Sequence, residues 1–414
     1  MRKEWKPASR TSTTGYIGER WPEAQTEAPA YQGQDRHFVF VPLSAQPSRR
    51  VYIPKSDGRQ RPLGISALED KVVQQAVAAV LSQIYEGDFA GFSYSFRAGR
   101  STHDALDALS AGILTKKVNW ILDADIKGFF DNISHNKLME LVELRIADPR
   151  ILRLIRKWLT AGVSEDGQWS ETKIGTPQGA VISPLLANIY LHCVLDQWVM
   201  EWRRVHAKGD VVIVRYADDF VLGFQYRDEA ESFLKQLRER LEGYGLELHP
   251  EKTRLIEFGR FAEGNRNRSG AGKPETFNFP GFTHICSTIW KSGKFTVKRK
   301  TIGRRLTAKL QDIAVKLRRR INDPISQTGN WLTQVVRGYY NHHAVPGNLK
   351  RLYTFRRETA RHWLLMLRRR SQRSRWTWER FEALIDRYLP EPAILHPYPL
   401  NRFLAKHPNK SRVR

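Results

Sequence analysis

The sequence predicts an α+β protein with an antiparallel sheet at its centre and a helical bundle toward its C-terminus. Three observations carry that expectation. Residues 211–214 and 220–224 are apolar, β-branched or aromatic runs on either side of Arg215-Tyr216-Ala217-Asp218-Asp219, so they read as two strands joined by a tight turn. Windows such as 72–84 and 228–243 place apolar residues at helical spacing. Between residues 298 and 375, helical periodicity runs beneath a composition whose only acids are Asp312, Asp323 and Glu358.

Composition bounds the partners. The chain has 414 residues, long enough for more than one subdomain, and a net charge of +25, which calls for a polyanion, nucleic acid ahead of an acidic membrane. Its 12 tryptophans fit large packed surfaces rather than a disordered basic protein. Cys193 and Cys286 are too few for a disulfide framework or a paired CxxC zinc module. No apolar run approaches a membrane span, and MRKEWKPASR lacks a signal-peptide core, so the expected location is the cytoplasm with no membrane partner.

In chain order, residues 1–48 are polar and without clear period, apart from an apolar patch at 38–42. Residues 51–64 read as a two-stranded hairpin turned at Ser56-Asp57-Gly58, with Lys55 and Arg61 flanking the turn. Ser66 opens a helix, Glu69 completes a capping box, and Val72, Val73, Ala76, Val77, Val80, Leu81 and Ile84 form its predicted buried face. Residues 92–100 form an aromatic and basic loop in which Arg97 and Arg100 are expected on phosphates rather than on acids, and Ser101 or Thr102 caps the next helix. The run NWILDADIKGFFDN at 119–132 is a strand carrying Asp123 and Asp125, whose alternation points both the same way and does not choose between them. Thr176-Pro177-Gln178-Gly179 is a tight loop in which Gln178 can bond a sugar or base and Gly179 lets backbone approach a nucleotide. Ser183-Pro184 then starts a helix.

Adjacent Asp218 and Asp219 repel one another in an apolar setting and need a cation, for which a hard, oxygen-seeking ion such as Mg²⁺ is suited. A carboxylate delivered from the 119–132 strand would complete a two-cation site for nucleotidyl transfer. Further on, residues 254–258 alternate as a strand behind Pro250-Glu251-Lys252-Thr253, and 263–274 is an expected exposed loop. Residues 298–375 read as a helical bundle with a basic face, including Arg304, Arg305, Arg318 and Arg319, with His342 and His343 on a helix surface. The tail, 376–414, holds one further helix and ends in a basic stretch.

These stretches together resemble the reverse transcriptases encoded by bacterial group II introns. The motifs are RRVYIPKSDGRQRPLGIS from Arg49, the Glu69-Asp70 pair, FSYSFRAGRSTHDAL from Phe92, DADIKGFFDNISH from Asp123, TPQGAVISPLLANIYL from Thr176, RYADDF from Arg215 and HPEKT from His249, in the family's order from about residue 49 onward. The resemblance implies a right-hand polymerase fold: fingers over 49–122, a palm with an antiparallel sheet over 123–290, and a helical thumb or maturase domain over 298–375. It chooses Asp125 over Asp123, giving Asp125, Asp218 and Asp219 as catalytic residues and ligands of two Mg²⁺, with Mn²⁺ also admitted. It places Lys55 and Arg61 on the incoming triphosphate and Gln178 and Gly179 at the nucleotide. Lys252 becomes either the proton donor to pyrophosphate or a plain turn lysine, and Phe130 lies where a ring would clash with a 2′-hydroxyl. Tyr216, Gly281 in the run at 277–282, Arg97, Arg100 and the thumb arginines are implied nucleic-acid contacts.

The departures are the segment 1–48, which reads as divergent or truncated beside the family's N-terminal extension, and the missing cysteines and length of an HNH endonuclease. The implied function is an RNA-directed DNA polymerase that also serves as a maturase, with intron RNA, an RNA template with a DNA or RNA primer, and dNTPs as partners, and a homodimer left open. A nucleoid-associated site in the bacterial cytoplasm goes with it. The competing readings are a domesticated relative in defence or repair and a non-catalytic RNA-binding maturase.

Overall fold

A computed structural model of the chain describes residues 45–54 and 60–408. Strands β1 (Ser48–Pro54) and β2 (Gln60–Ile65) pair antiparallel with Pro54 opposite Gln60, as the fingers hairpin requires; its turn, with Lys55, lies outside the described residues. Helix α1 (Leu68–Glu86) departs from expectation. Ala67 is its N-cap without a side-chain bond, and it buries Asp70, Gln74, Val77, Ala78, Leu81 and Tyr85. Val72 and Val80 are left 62% and 59% exposed. The reason is polar: Asp70 accepts from the Gln46 amide (3.0 Å) and the Trp158 indole (3.1 Å), and Gln74 from the Val181 amide (2.9 Å). Two side chains with built partners set the helix face against its apolar pattern.

Helix α2 (Thr102–Thr115) is capped by Ser101 in a reciprocal box with Asp104. After β3 (Trp120–Asp125), α3 (Phe129–Asn132), α4 (His135–Glu143) and α5 (Pro149–Thr160), the short strands β4 (Val163–Glu165) and β5 (Gln168–Ser170) return to the fingers. There β4 pairs parallel with β1, giving the order β2-β1-β4-β5. Helix α6 (Ser183–Leu191), whose cap is Ile182 rather than Ser183, passes through a π turn at His192–Asp196 into α7 (Gln197–Val205).

The predicted hairpin is β6 (Val211–Tyr216) and β7 (Asp219–Phe224), followed by α8 (Arg227–Glu242) and β8 (Arg254–Glu257). These strands and β3 form an antiparallel sheet in the order β6-β7-β3-β8, and residue 122 lies within β3. Ala105, Leu106 and Leu109 of α2 share a core with Val212 and Val214 of β6, so that helix packs on the same sheet.

Part of the predicted 263–274 loop is a short helix, α9 (Ala262–Arg268). Then β9 (Phe277–Phe279), β10 (Phe282–Thr288) and β11 (Phe295–Thr301) make a second antiparallel sheet. Lys298-Arg299-Lys300 therefore lies on a strand, and the helical bundle begins later, at α10 (Gly303–Arg319). With α11 (Ile325–His343), α12 (Leu349–Arg368) and α13 (Trp378–Tyr388) it builds a separate core around Ile313, Leu332, Val336, Trp363 and Phe381. The tail holds a helix that its Pro-rich start concealed, α14 (Pro399–Lys406), laid against α2: Arg402 donates to Asp107 and Lys406 to Asp104. Among the described residues no helix is long and apolar enough to cross a membrane.

Candidate active site and nucleic-acid interface

Register brings the carboxylates together. Asp125 at the end of β3 stands opposite Asp219 at the start of β7, and Tyr216 pairs with Asp219 across the hairpin, leaving Ala217-Asp218 as the turn. Ala217 adopts φ 58°, a left-handed backbone that a side-chain-bearing residue takes at a cost of about 1–2 kcal/mol. Asp123 stands elsewhere, opposite Val221 and within 3.6 Å of the Arg254 guanidinium, and burial pushes its carboxyl up to about 6. Two acids that look alike in the strand pattern thus have different neighbours.

Desolvation, followed by the charges of Asp218 and Asp125, pushes the Asp219 carboxyl up to about 7. Burial likewise raises Asp218, and Asp125 adds to this, while Arg61 and Lys252 oppose it. The Lys252 Nζ lies 2.5 Å from Asp125 Oδ2, on a turn held by the His249 amide donating to the Asp125 carbonyl (2.8 Å). Lys252 and the charge of Arg61 still leave three carboxylates short of counter-charge, which suits a divalent cation. No group of three His, Cys, Asp or Glu residues among the described ones closes a cage on its own. A Mg²⁺ site is ordinarily open in this way, held by one or two carboxylates and completed by water and substrate phosphate.

Phe130 is half-buried, edge-on to Phe129 with ring centroids 5.3 Å apart. The loop at 176–179 is a tie to the fingers. Gly179 has φ 112°, and a Cβ there would stand 2.8 Å from the Gly64 carbonyl oxygen, while the Gly64 amide donates to the Gln178 carbonyl (2.6 Å). What the glycine lets approach is strand β2, where the sequence suggested a nucleotide. The Gln178 side chain donates to Asp131 Oδ1 at 3.2 Å.

Sequence reasoning missed the support beneath the turn. Arg215, wholly buried, donates through Nε and Nη2 to both oxygens of Asp196 (2.7 and 2.6 Å) and through Nη1 to Asn188 Oδ1 and the Ala217 carbonyl (3.1 Å each). The π turn carries Asp196 inward to this pair, and the guanidinium, overriding the desolvation that would raise it, holds the Asp196 carboxyl below its usual range. A signal existed: a charged residue inside an apolar strand run, and an acid inside the apolar helix at 185–198, each demand a partner.

The implied nucleic-acid contacts divide. Arg97 is a correction: it is buried and donates to both oxygens of Glu86 (3.0 and 2.7 Å) and to the Ala90 and Ser93 carbonyls, so its donors hold the 86–97 loop rather than phosphates. Arg100 is half-buried and donates to the Gly91 carbonyl at 2.6 Å. Tyr216 accepts from Thr102 Oγ1 (2.9 Å). Gly281, at φ 91°, admits His342, whose Nε2 would stand 3.2 Å from a Cβ. Arg304, Arg305, Arg318 and Arg319 are exposed along α10, without an ion pair among the described residues. His342 and His343 are not surface histidines: they pack on Phe282, and burial lowers His343 to about 3.

Comparison with known proteins agrees with this geometry. A family model described as "Reverse transcriptase (RNA-dependent DNA polymerase)" matches residues 53–284. Protein YkfC of Escherichia coli is 36% identical over 240 residues, which are 50% of this chain and 63% of that protein. The group II intron-encoded protein LtrA of Lactococcus lactis is 46% identical over 157 residues, 38% of this chain and 26% of LtrA. A 91 kDa protein in a cob intron of Schizosaccharomyces pombe is 34% identical over 223 residues, 52% of this chain and 27% of that protein. The chain thus spans less than two thirds of the length of these relatives.

Proposed function

The chain belongs to the reverse transcriptase (RNA-dependent DNA polymerase) family, and from that premise we propose that it is an RNA-directed DNA polymerase of the group II intron type. In this reading it extends a DNA or RNA primer on an RNA template with dNTPs, in the bacterial cytoplasm, and binds intron RNA to assist splicing and mobility. One observation carries it: Asp125 faces Asp219 across paired strands, with Asp218 in the adjoining turn, and both hairpin carboxyls are held above their usual range.

Asp125, Asp218 and Asp219 would hold Mg²⁺ or Mn²⁺. Bound there, divalent ions supply Lewis-acid polarisation and neutralise charge developing on the α-phosphate. Arg61, whose charge already reaches Asp218, would meet the triphosphate together with Lys55, and the Gln178-Gly179 loop would lie at the nucleotide's sugar or base. Lys252, beside Asp125, donates the proton to the leaving pyrophosphate. Tyr216, Gly281 and the α10 arginines Arg304, Arg305, Arg318 and Arg319 contact template and primer.

The test is primer extension on poly(rA)/oligo(dT) with dTTP and Mg²⁺, run beside Asp218→Ala. Extension should fall about 10³-fold or more in the variant, with RNA affinity kept within a few-fold. Equal extension by the two proteins would remove the assignment. Phe130→Val should lower discrimination against ribonucleotides about tenfold or more, read as the ratio of kcat/KM values for dTTP and UTP. An unchanged ratio would take Phe130 out of sugar selection.

A further inference from the structure

The hairpin of β10 and β11 carries an exposed aromatic at its tip. Trp290 is 94% exposed, the most open of the large apolar side chains described, and Ile289 beside it is 45% exposed. The tip is ordered by its own backbone: the Ile289 amide donates to the Lys294 carbonyl, and the Gly293 amide to the Ile289 carbonyl, each at 2.8 Å. Gly293, at φ 64°, supplies the left-handed residue that closes the turn. A packed or disordered loop would not hold one bare indole out on a bonded turn.

Charge follows the same hairpin. Phe282 and His284 of β10 and Val297, Arg299 and Thr301 of β11 face the core, so Lys298 and Lys300 project from the opposite face, with Lys291 and Lys294 beside the indole. Arg299, the one inward cation of the hairpin, pairs at 3.0 Å with Asp107, which also accepts from Arg402. None of the four outward lysines has an ion pair among the described residues, and residues 276–311 contain no Asp or Glu at all. At about 3.3 Å of rise per residue, Lys294, Lys298 and Lys300 cover roughly 20 Å, a span of several phosphates, and the exposed Arg304 and Arg305 of α10 continue it.

We infer that this hairpin is a binding site for single-stranded polynucleotide, in which Trp290 stacks on an unpaired base and the lysine row follows the phosphates. A stacking platform beside a cationic track is the chemistry that non-sequence-specific single-strand binders use. A duplex would satisfy the lysines but leave the indole without a free base face, so the unpaired strand is the better fit. The site lies outside the carboxylate cluster, and its ligand is held whether or not the palm polymerises.

The experiment measures fluorescence anisotropy of labelled oligo(rU), oligo(dT) and a blunt RNA–DNA duplex against NaCl concentration, on the full chain. Trp290→Ala should weaken both single strands about tenfold while barely moving the duplex, and Trp290→Phe should recover most of the loss. Lys298→Ala with Lys300→Ala should lower the slope of log affinity against log salt by about one to two. Ultraviolet crosslinking of the oligo(rU) complex should place the adduct on Trp290. Equal affinity of parent and Trp290→Ala for both single strands would overturn the proposal, as would a loss confined to the duplex. Because the side chain is bare to solvent, a folding defect cannot mimic either result.

Discussion

Asp219→Asn should cost at least about 10³-fold in primer-extension rate and at the same time raise the thermal stability of the cation-free protein at pH 8. The two effects have one cause. Desolvation and the charges of Asp218 and Asp125 hold the Asp219 carboxyl near 7, well above the ~3.9 of a free aspartate. Below pH ~4 the group is neutral in the folded and unfolded chains alike and contributes nothing. Between ~4 and ~7 the unfolded chain releases its proton while the folded one keeps it, so folding is progressively disfavoured, and above ~7 the whole penalty is present. Asparagine is neutral throughout, so its advantage should be absent at pH 4 and complete at pH 8. Asp219 is exposed to water, which screens the repulsion and limits the gain to about 1 kcal/mol or less. Mg²⁺ should have the converse effect: it stabilises the parent more at pH 8 than at pH 6, because binding must displace the retained proton, and it stabilises the asparagine variant little. Melting curves at pH 4, 6 and 8, with and without Mg²⁺, read all of this. A variant no more stable than the parent at pH 8 would show that the carboxyls do not repel one another as described.

The sequence was most legible where a local pattern and its burial agree. The β6–β7 hairpin shows as two apolar runs around a polar turn because both strands are buried, and the β8 strand behind Lys252 shows because its alternation matches one covered face. It misled where a distant partner decides the outcome. On α1 the apolar count found Val77 and Leu81, but the amides and indole that Val181, Gln46 and Trp158 offer to Gln74 and Asp70 rotate the buried face away from Val72 and Val80. Arg97 turned from phosphate to Glu86 because the 86–97 loop folds its own acid under the guanidinium. Nothing local in the tail points to Asp104 and Asp107 of α2 as the partners of Lys406 and Arg402. Asp123 and Asp125 are alternate positions on one strand, and only cross-strand register, opposite Val221 or Asp219, tells them apart.

The buried pair under the turn gives the second large effect. Arg215→Met should destabilise the protein by about 4 kcal/mol, because Asp196 would keep its charge at a fully buried site with only the His192 imidazole, 3.8 Å away, to meet it. Adding Asp196→Leu removes the stranded charge, and the double variant should recover most of the parent's stability, since well-packed apolar replacements of buried ion pairs are often neutral or better. Activity should not recover with it. Arg215 Nη1 also accepts the task of holding the Ala217 carbonyl at 3.1 Å, and Ala217 sits in a left-handed backbone that has no glycine to ease it. Neither Met nor Leu donates a hydrogen bond, so the turn is free to relax and carry Asp218 and Asp219 out of register with Asp125. Arg215→Met/Asp196→Leu should therefore extend primers about tenfold more slowly or worse, with the loss in kcat rather than in KM for dTTP. If the double variant is as stable as the parent and just as fast, Arg215 is a core residue only. If it is stable and slow, the network beneath the turn positions the carboxylates, a role that burial alone would not give it.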